Sequence, residues 1–198
     1  MLGFLPADAK TILDVGCGQG SFALVAKRRN SAEVWGIELM EDEARLAKPI
    51  LDKVFVGPCE DHIEKLPENY FDTIFFNDVL EHLVDPYMVL RTIKSKLTPK
   101  GVIISSIPNM RYHSVLSKLI FQKDFEYAEH GVMDKTHLRF FTKKSIQRMY
   151  EDAGFRVIEH VGINKSRSLK PLLYNIPFLF NALDMYYPQY ATMATPDH

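Results

Sequence analysis

The chain is poor in cysteine. Its 198 residues hold two, Cys17 and Cys59, with no Cys-x-x-Cys pair, which excludes a disulfide framework and a zinc ribbon. Neither sign of charge is in excess, 24 Lys and Arg against 25 Asp and Glu, so overall charge gives no case for a nucleic-acid or anionic-membrane partner. The first eight residues have neither a basic region nor a long apolar run, so the expectation is no secretory leader, no transmembrane segment and a cytoplasmic protein. No Gly-x-x-x-x-Gly-Lys-[Ser/Thr] occurs, which removes P-loop kinases. None of the nine tyrosines has a lysine four residues later, so the proton-transfer pair of short-chain nicotinamide oxidoreductases is missing. Internal repeats and low-complexity segments are absent as well.

What is present centres on Ile12-Leu13-Asp14-Val15-Gly16-Cys17-Gly18-Gln19-Gly20-Ser21. An apolar run ends at an acid, three alternate glycines follow, and Phe22 to Ala26 begin a helical pattern. The layout is strand, tight turn and helix N-terminus, as in nucleotide-cofactor loops of α/β sheets. Glycine permits φ > 0 and close approach of a ligand to the backbone, and a side chain at Gly18 would enter the space a cofactor needs. Glu33 to Glu38 read as a second strand whose terminal acid lies 18 residues after Gly20, the spacing of an acid that accepts hydrogen bonds from ribose hydroxyls.

At this length one domain is expected, residues 1–198, with a cofactor-binding core over 1–161. Lys53 to Gly57, Tyr70 to Phe76 and Val102 to Ile107 continue the strand series. Asp85 and Pro86 read as N-cap and first residue of a helix running to about Leu97, stopped by Thr98-Pro99-Lys100-Gly101. Connections too long for hairpins predict a doubly wound parallel sheet with helices on both faces. Residues 108–141 interrupt this rhythm with a polar and aromatic mixture, read as a short helix and a substrate loop. Thr142 to Gly154 bound a further helix, Phe155 to Val161 a sixth strand, and Gln189 to Ala194 a last one. Between these lies an insertion, 162–188.

Taken in order, Asp14-x-Gly16-x-Gly18-x-Gly20, Glu38, Asp78-Val79-Leu80-Glu81-His82 with Asp85-Pro86, Ile107-Pro108-Asn109 and His137-Leu138-Arg139-Phe140-Phe141-Thr142 resemble the UbiE/Coq3-like class I S-adenosylmethionine-dependent methyltransferases. The resemblance runs from Thr11 to Val161. It implies a Rossmann-like seven-stranded sheet with an antiparallel last strand, S-adenosyl-L-methionine as cofactor, and methyl transfer to a small-molecule acceptor by in-line displacement. It also implies cofactor contacts from Asp14, Gly16, Cys17, Gly18 and Gly20 of the loop, from Glu38 and Leu39, from Glu60, and from Asn77 and Asp78. Relatives place an acid directly after the third-strand glycine; Pro58 stands there, so the adenine contact moves to Glu60, Asp61 or backbone carbonyls. Relatives also carry N-terminal helices over the cofactor, whereas the first strand here starts ten residues in. A cofactor-binding scaffold without turnover, and a nicotinamide oxidoreductase on the same fold, remain the alternatives.

The acceptor chemistry points to His137 as general base, an imidazole being suited to proton removal at neutral pH. One helical turn after Asn77 would bring Asp78, Glu81 and His82 to one face, and with His137 these could hold Mg²⁺. The expectation adopted is metal-free, with Glu81 in solvent, His82 under the sheet edge and His137 acting alone. The insertion, most apolar over Leu169 to Met185, is expected to be a lid on the acceptor pocket or a homodimer surface.

Overall fold

A computed structural model describes residues 1–197. Seven strands form one sheet: β1 (Thr11–Val15), β2 (Glu33–Glu38), β3 (Lys53–Val56), β4 (Phe71–Asn77), β5 (Leu97–Pro108), β6 (Phe155–Ile163) and β7 (Gln189–Pro196). Their order is β3-β2-β1-β4-β5-β7-β6. The first five run parallel, and β7 enters antiparallel to both β5 and β6.

The strand sequences explain why both faces are covered. Alternation sends Leu13, Val15, Ile74, Phe76 and Ile103 to one buried cluster, and Ile12, Phe75 and Ile104 to another on the opposite face. Helices α1 (Ser21–Asn30) and α2 (Glu41–Ala47) present Ala23, Ala26 and Ala47 to the second cluster, small residues that let the helices lie close to the sheet. The first cluster is covered by α3 (Glu60–Ile63), α4 (Pro86–Ile93) and α6 (Lys143–Asp152). Local signals fix these helices: Asp85 Oδ1 accepts the Met88 amide at 2.9 Å with Pro86 at the first position, and Thr142 and Ser145 form a capping box. Gly154 closes α6 at φ +81°.

The structure corrects one boundary. Helix α4 stops at Ile93, a 3₁₀ turn covers Lys94–Lys96, and β5 already begins at Leu97, so residues 98–101, read as the stop, lie within that strand. Only a short helix α5 (His113–Ser117) and a π turn (Lys118–Gln122) order the first part of 108–141. The insertion holds α7 (Lys170–Asn175) followed by 3₁₀ turns.

Chain order reverses between β1 and β4: from β1 the chain moves outward through β2 and β3, then returns to β4 on the other side. In an open α/β sheet the crevice at the carboxyl ends of such a strand pair is where ligands bind.

Candidate active site

The glycine loop leaves β1 at this crevice. Gly16, Gly18 and Gly20 have φ of +74°, +52° and +82°, conformations that side-chain-bearing residues adopt only at a cost. Gly16 also has no room for more: a Cβ there would lie 2.5 Å from Val79 Cγ2. At Gly18 a Cβ would meet nothing within 4 Å, so the protein itself leaves that space open. Glu38 clamps the loop to the tip of β2. Its Oε2 accepts the Gly18 amide at 2.7 Å and its Oε1 the Met40 amide at 2.9 Å, and lone pairs remain for further donors. Asp14 is buried beneath the loop, one oxygen lacking a hydrogen-bond partner. Burial, and next the Glu38 charge, push its carboxyl up to about 7.

Between loop, β2 tip and β4 tip lies a cleft of about 500 Å³. Its wall includes Gly16, Glu38, Leu39, Glu60 and Asp78 of the residues expected to hold cofactor. Asp14, Cys17, Gly18, Gly20 and Asn77 support this wall without lining it, and Asp61 is also off it. The sequence reading missed Cys59, Val79, Leu83 and Thr136 on the wall, apolar or small residues with no signal beyond their place at strand ends.

A second cavity of about 400 Å³ adjoins the first, and the two share Asp78 and His82. Its wall carries Glu81, Asp134, His137 and Gln189. Asp78 sits at the junction with φ +54°, its amide bound to Ser106 Oγ and carbonyl oxygen at 3.1 Å each. Gln189, 111 residues away in sequence, donates to Asp78 Oδ1 at 2.7 Å. Burial raises the Asp78 pKa, while Ser106 and Gln189 oppose the rise.

The turn after Asn77 differs from the sequence expectation. Left-handed Asp78 breaks the helical path, and only Leu80–His82 form a 3₁₀ turn, so Asp78 does not join Glu81 and His82 on one helical face. Glu81 is not in solvent but 1% exposed, with neither carboxylate oxygen hydrogen-bonded. Burial pushes its acid up to about 8. The Glu81 carbonyl accepts the Leu138 and Arg139 amides at 2.9 and 3.0 Å, which ties the substrate loop to the turn. His137 Nδ1 lies 3.2 Å from the Val132 carbonyl, a contact that sets Nδ1 as donor and leaves a lone pair on Nε2. Burial lowers the His137 pKa. Ligand atoms of Glu81, His82 and His137 lie within 4.8 Å of one another, a spacing that a metal ion could bridge.

Fold, glycine loop and clamped acid together define the class I S-adenosylmethionine-dependent methyltransferases. Residues 2–160 match the family model described as "Methyltransferase domain", and the chain belongs to that family. Among its relatives is a ubiquinone biosynthesis O-methyltransferase of Aeromonas salmonicida, 31% identical over 165 residues that cover 78% of this chain and 66% of that one. Another of the same name, from Neisseria meningitidis serogroup C, is 30% identical over 81% of this chain and 70% of its own. The chain thus spans about two thirds of these relatives' length. In fold it is similar to a SAM-dependent methyltransferase from Archaeoglobus fulgidus, with a TM-score of 0.66 and 21% identity over 93% of this chain and 85% of that one.

Proposed function

We propose that the chain O-methylates a small molecule, with S-adenosylmethionine in the cleft beside Gly16 and Glu38 and the acceptor in the adjoining cavity. One observation carries this reading: the two cavities meet at Asp78 and His82, so methyl donor and acceptor can approach in line. Glu38 offers its remaining lone pairs to the ribose, and Glu60 stands on the wall where the adenine would lie. The acceptor hydroxyl gives its proton to His137 Nε2 as its oxygen attacks the methyl carbon. The carbon–sulfur bond breaks, and its electrons stay on sulfur, which leaves as neutral S-adenosylhomocysteine. The names of the ubiquinone biosynthesis O-methyltransferases support a hydroxyl on an aromatic ring as acceptor.

One observation favours a second reading of the same cavity. Two orphaned oxygens on a buried carboxylate are what a cation site looks like before the cation enters, and Glu81 has them beside His82 and His137. A divalent ion held there would polarise the acceptor hydroxyl and replace His137 as the means of deprotonation. Transfer of labelled methyl to a catechol, with and without a chelator, separates the two. Undiminished turnover in chelator supports His137 as base; loss restored by Mg²⁺ or Mn²⁺ supports the ion.

A further inference from the structure

The acceptor cavity carries a charge of its own. Of the ten residues on its wall three are carboxylic acids, Asp78, Glu81 and Asp134, and none is Lys or Arg. The nearest cations in sequence are engaged outside it: Lys135 pairs with Glu129 at 2.5 Å, and Arg139 Nη2 donates to the Val84 carbonyl at 2.5 Å. A cleft lined by one sign of charge, with low-dielectric walls, focuses that field on whatever enters. The sign of the wall therefore bears on which acceptors the cavity admits.

The three acids play different parts. Glu81 is 1% exposed and neither of its oxygens has a hydrogen-bond partner in the protein, so the wall lacks a polar group that a ligand hydroxyl supplies. Burial favours its neutral form, and it adds no charge. Asp78 lines both cavities, so its charge is shared with the methyl donor and its sulfonium. Asp134 lines the acceptor cavity alone. Its Oδ1 accepts the Thr136 hydroxyl at 2.6 Å and the Thr136 amide at 2.8 Å, bonds that hold its carboxyl below the usual range and leave it ionised at neutral pH.

The loop keeps that charge in place. The His137 amide donates to the Asp134 carbonyl at 3.1 Å, so the imidazole and the carboxylate stand on one turn. No cation among the described residues pairs with the Asp134 side chain. Pro108, Val132 and Pro188 add the apolar wall that a ring needs. One cavity thus offers unpartnered atoms on buried Glu81 for a hydroxyl, an apolar wall for a ring and an unpaired anion for a cation.

We propose that Asp134 makes this cavity select hydroxylated acceptors that carry a cationic group, such as an ammonium on a short side chain, and turn away those that carry a carboxylate or phosphate. The proposal rests on the assignment of this cavity to the acceptor. Attraction to Asp134 favours the ammonium, whereas an anionic acceptor meets Asp134 and Asp78 with no Lys or Arg to offset them. A divalent ion held by Glu81, His82 and His137 would reverse the preference, because its charge exceeds that of either carboxylate.

The test is calorimetric binding, to the full chain saturated with S-adenosylhomocysteine and with a chelator present, of three catechols of similar size: dopamine, neutral ethylcatechol and anionic dihydroxyphenylacetate. The expected order is dopamine, then ethylcatechol, then dihydroxyphenylacetate, with about tenfold or more between the extremes and less at high salt. Asp134→Asn keeps an oxygen for the Thr136 donors, so its melting temperature is expected to hold while dopamine and ethylcatechol come within about twofold of each other. Binding by none of the three, equal binding by all, a preference for dihydroxyphenylacetate, or an unchanged preference in Asp134→Asn overturns the proposal. Labelled-methyl transfer to ethylcatechol reads the reaction separately. The expected order in binding without any transfer supports the charge selection and removes the O-methylation; transfer to all three at equal kcat/KM does the reverse.

Discussion

His137 and Glu81 face each other at 3.9 Å, Nε2 to Oε1, and burial disfavours the charged form of both. At neutral pH the pair is a carboxylic acid beside a neutral imidazole. The imidazole keeps its lone pair at the cavity, and the protonated acid adds no negative charge beside it.

That arrangement makes stability depend on pH. Glu81 is raised from 4.5 to about 8 in the folded state, so the fold holds a proton that the unfolded chain releases. Its contribution is fully present below about pH 4.5 and is lost as pH rises through about 8. The melting temperature of the wild type is expected to fall between these limits, and Glu81→Gln to flatten that fall. Equal slopes in thermal unfolding of the two proteins would contradict the burial-driven shift.

Asp14 gives a second pH dependence, in cofactor binding. With its acid at about 7, it is largely neutral at pH 6 and ionised at pH 8. Only the ionised form attracts the ammonium of S-adenosylmethionine, so affinity is expected to rise over that interval, with a proton released on binding. Asp14→Asn should bind more weakly and without this rise. Calorimetry in buffers of different ionisation enthalpy reads the proton directly.

Gly16 tests the loop. An alanine there must hold φ +74° and place its Cβ 2.5 Å from Val79 Cγ2. A loss of about 1–3 kcal/mol of stability is expected, together with weaker binding of S-adenosylhomocysteine because Val79 lines the same cleft. An unchanged melting temperature would show that the loop relaxes freely.

Signals local in sequence were legible. The glycine loop, the acid ending β2, the N-caps at Asp85 and Thr142 and the strand alternation each act within a few residues, and all appear where their local physics puts them. What was not legible comes from distant chain segments. Gln189 reaches Asp78 across 111 residues, through the antiparallel entry of β7 that no local pattern announces. Glu81 reads as a solvated acid on a helix face, yet the 131–141 loop folds over it because its carbonyl captures two amides of that loop. Most of the insertion walls a groove beside α5, through Leu173, Tyr174 and Phe178 among others, and only its last residue, Pro188, reaches the acceptor cavity.

The central claim is that donor and acceptor meet between the two cavities with His137 taking the acceptor proton. Single-turnover transfer of labelled methyl from S-adenosylmethionine to a catechol, compared in wild type and His137→Ala, tests it most directly. The account predicts transfer by the wild type and a loss of roughly 100-fold or more in the variant, with S-adenosylhomocysteine affinity unchanged because His137 lies outside the cofactor cleft. Equal transfer by both proteins, with cofactor bound in each, would contradict it.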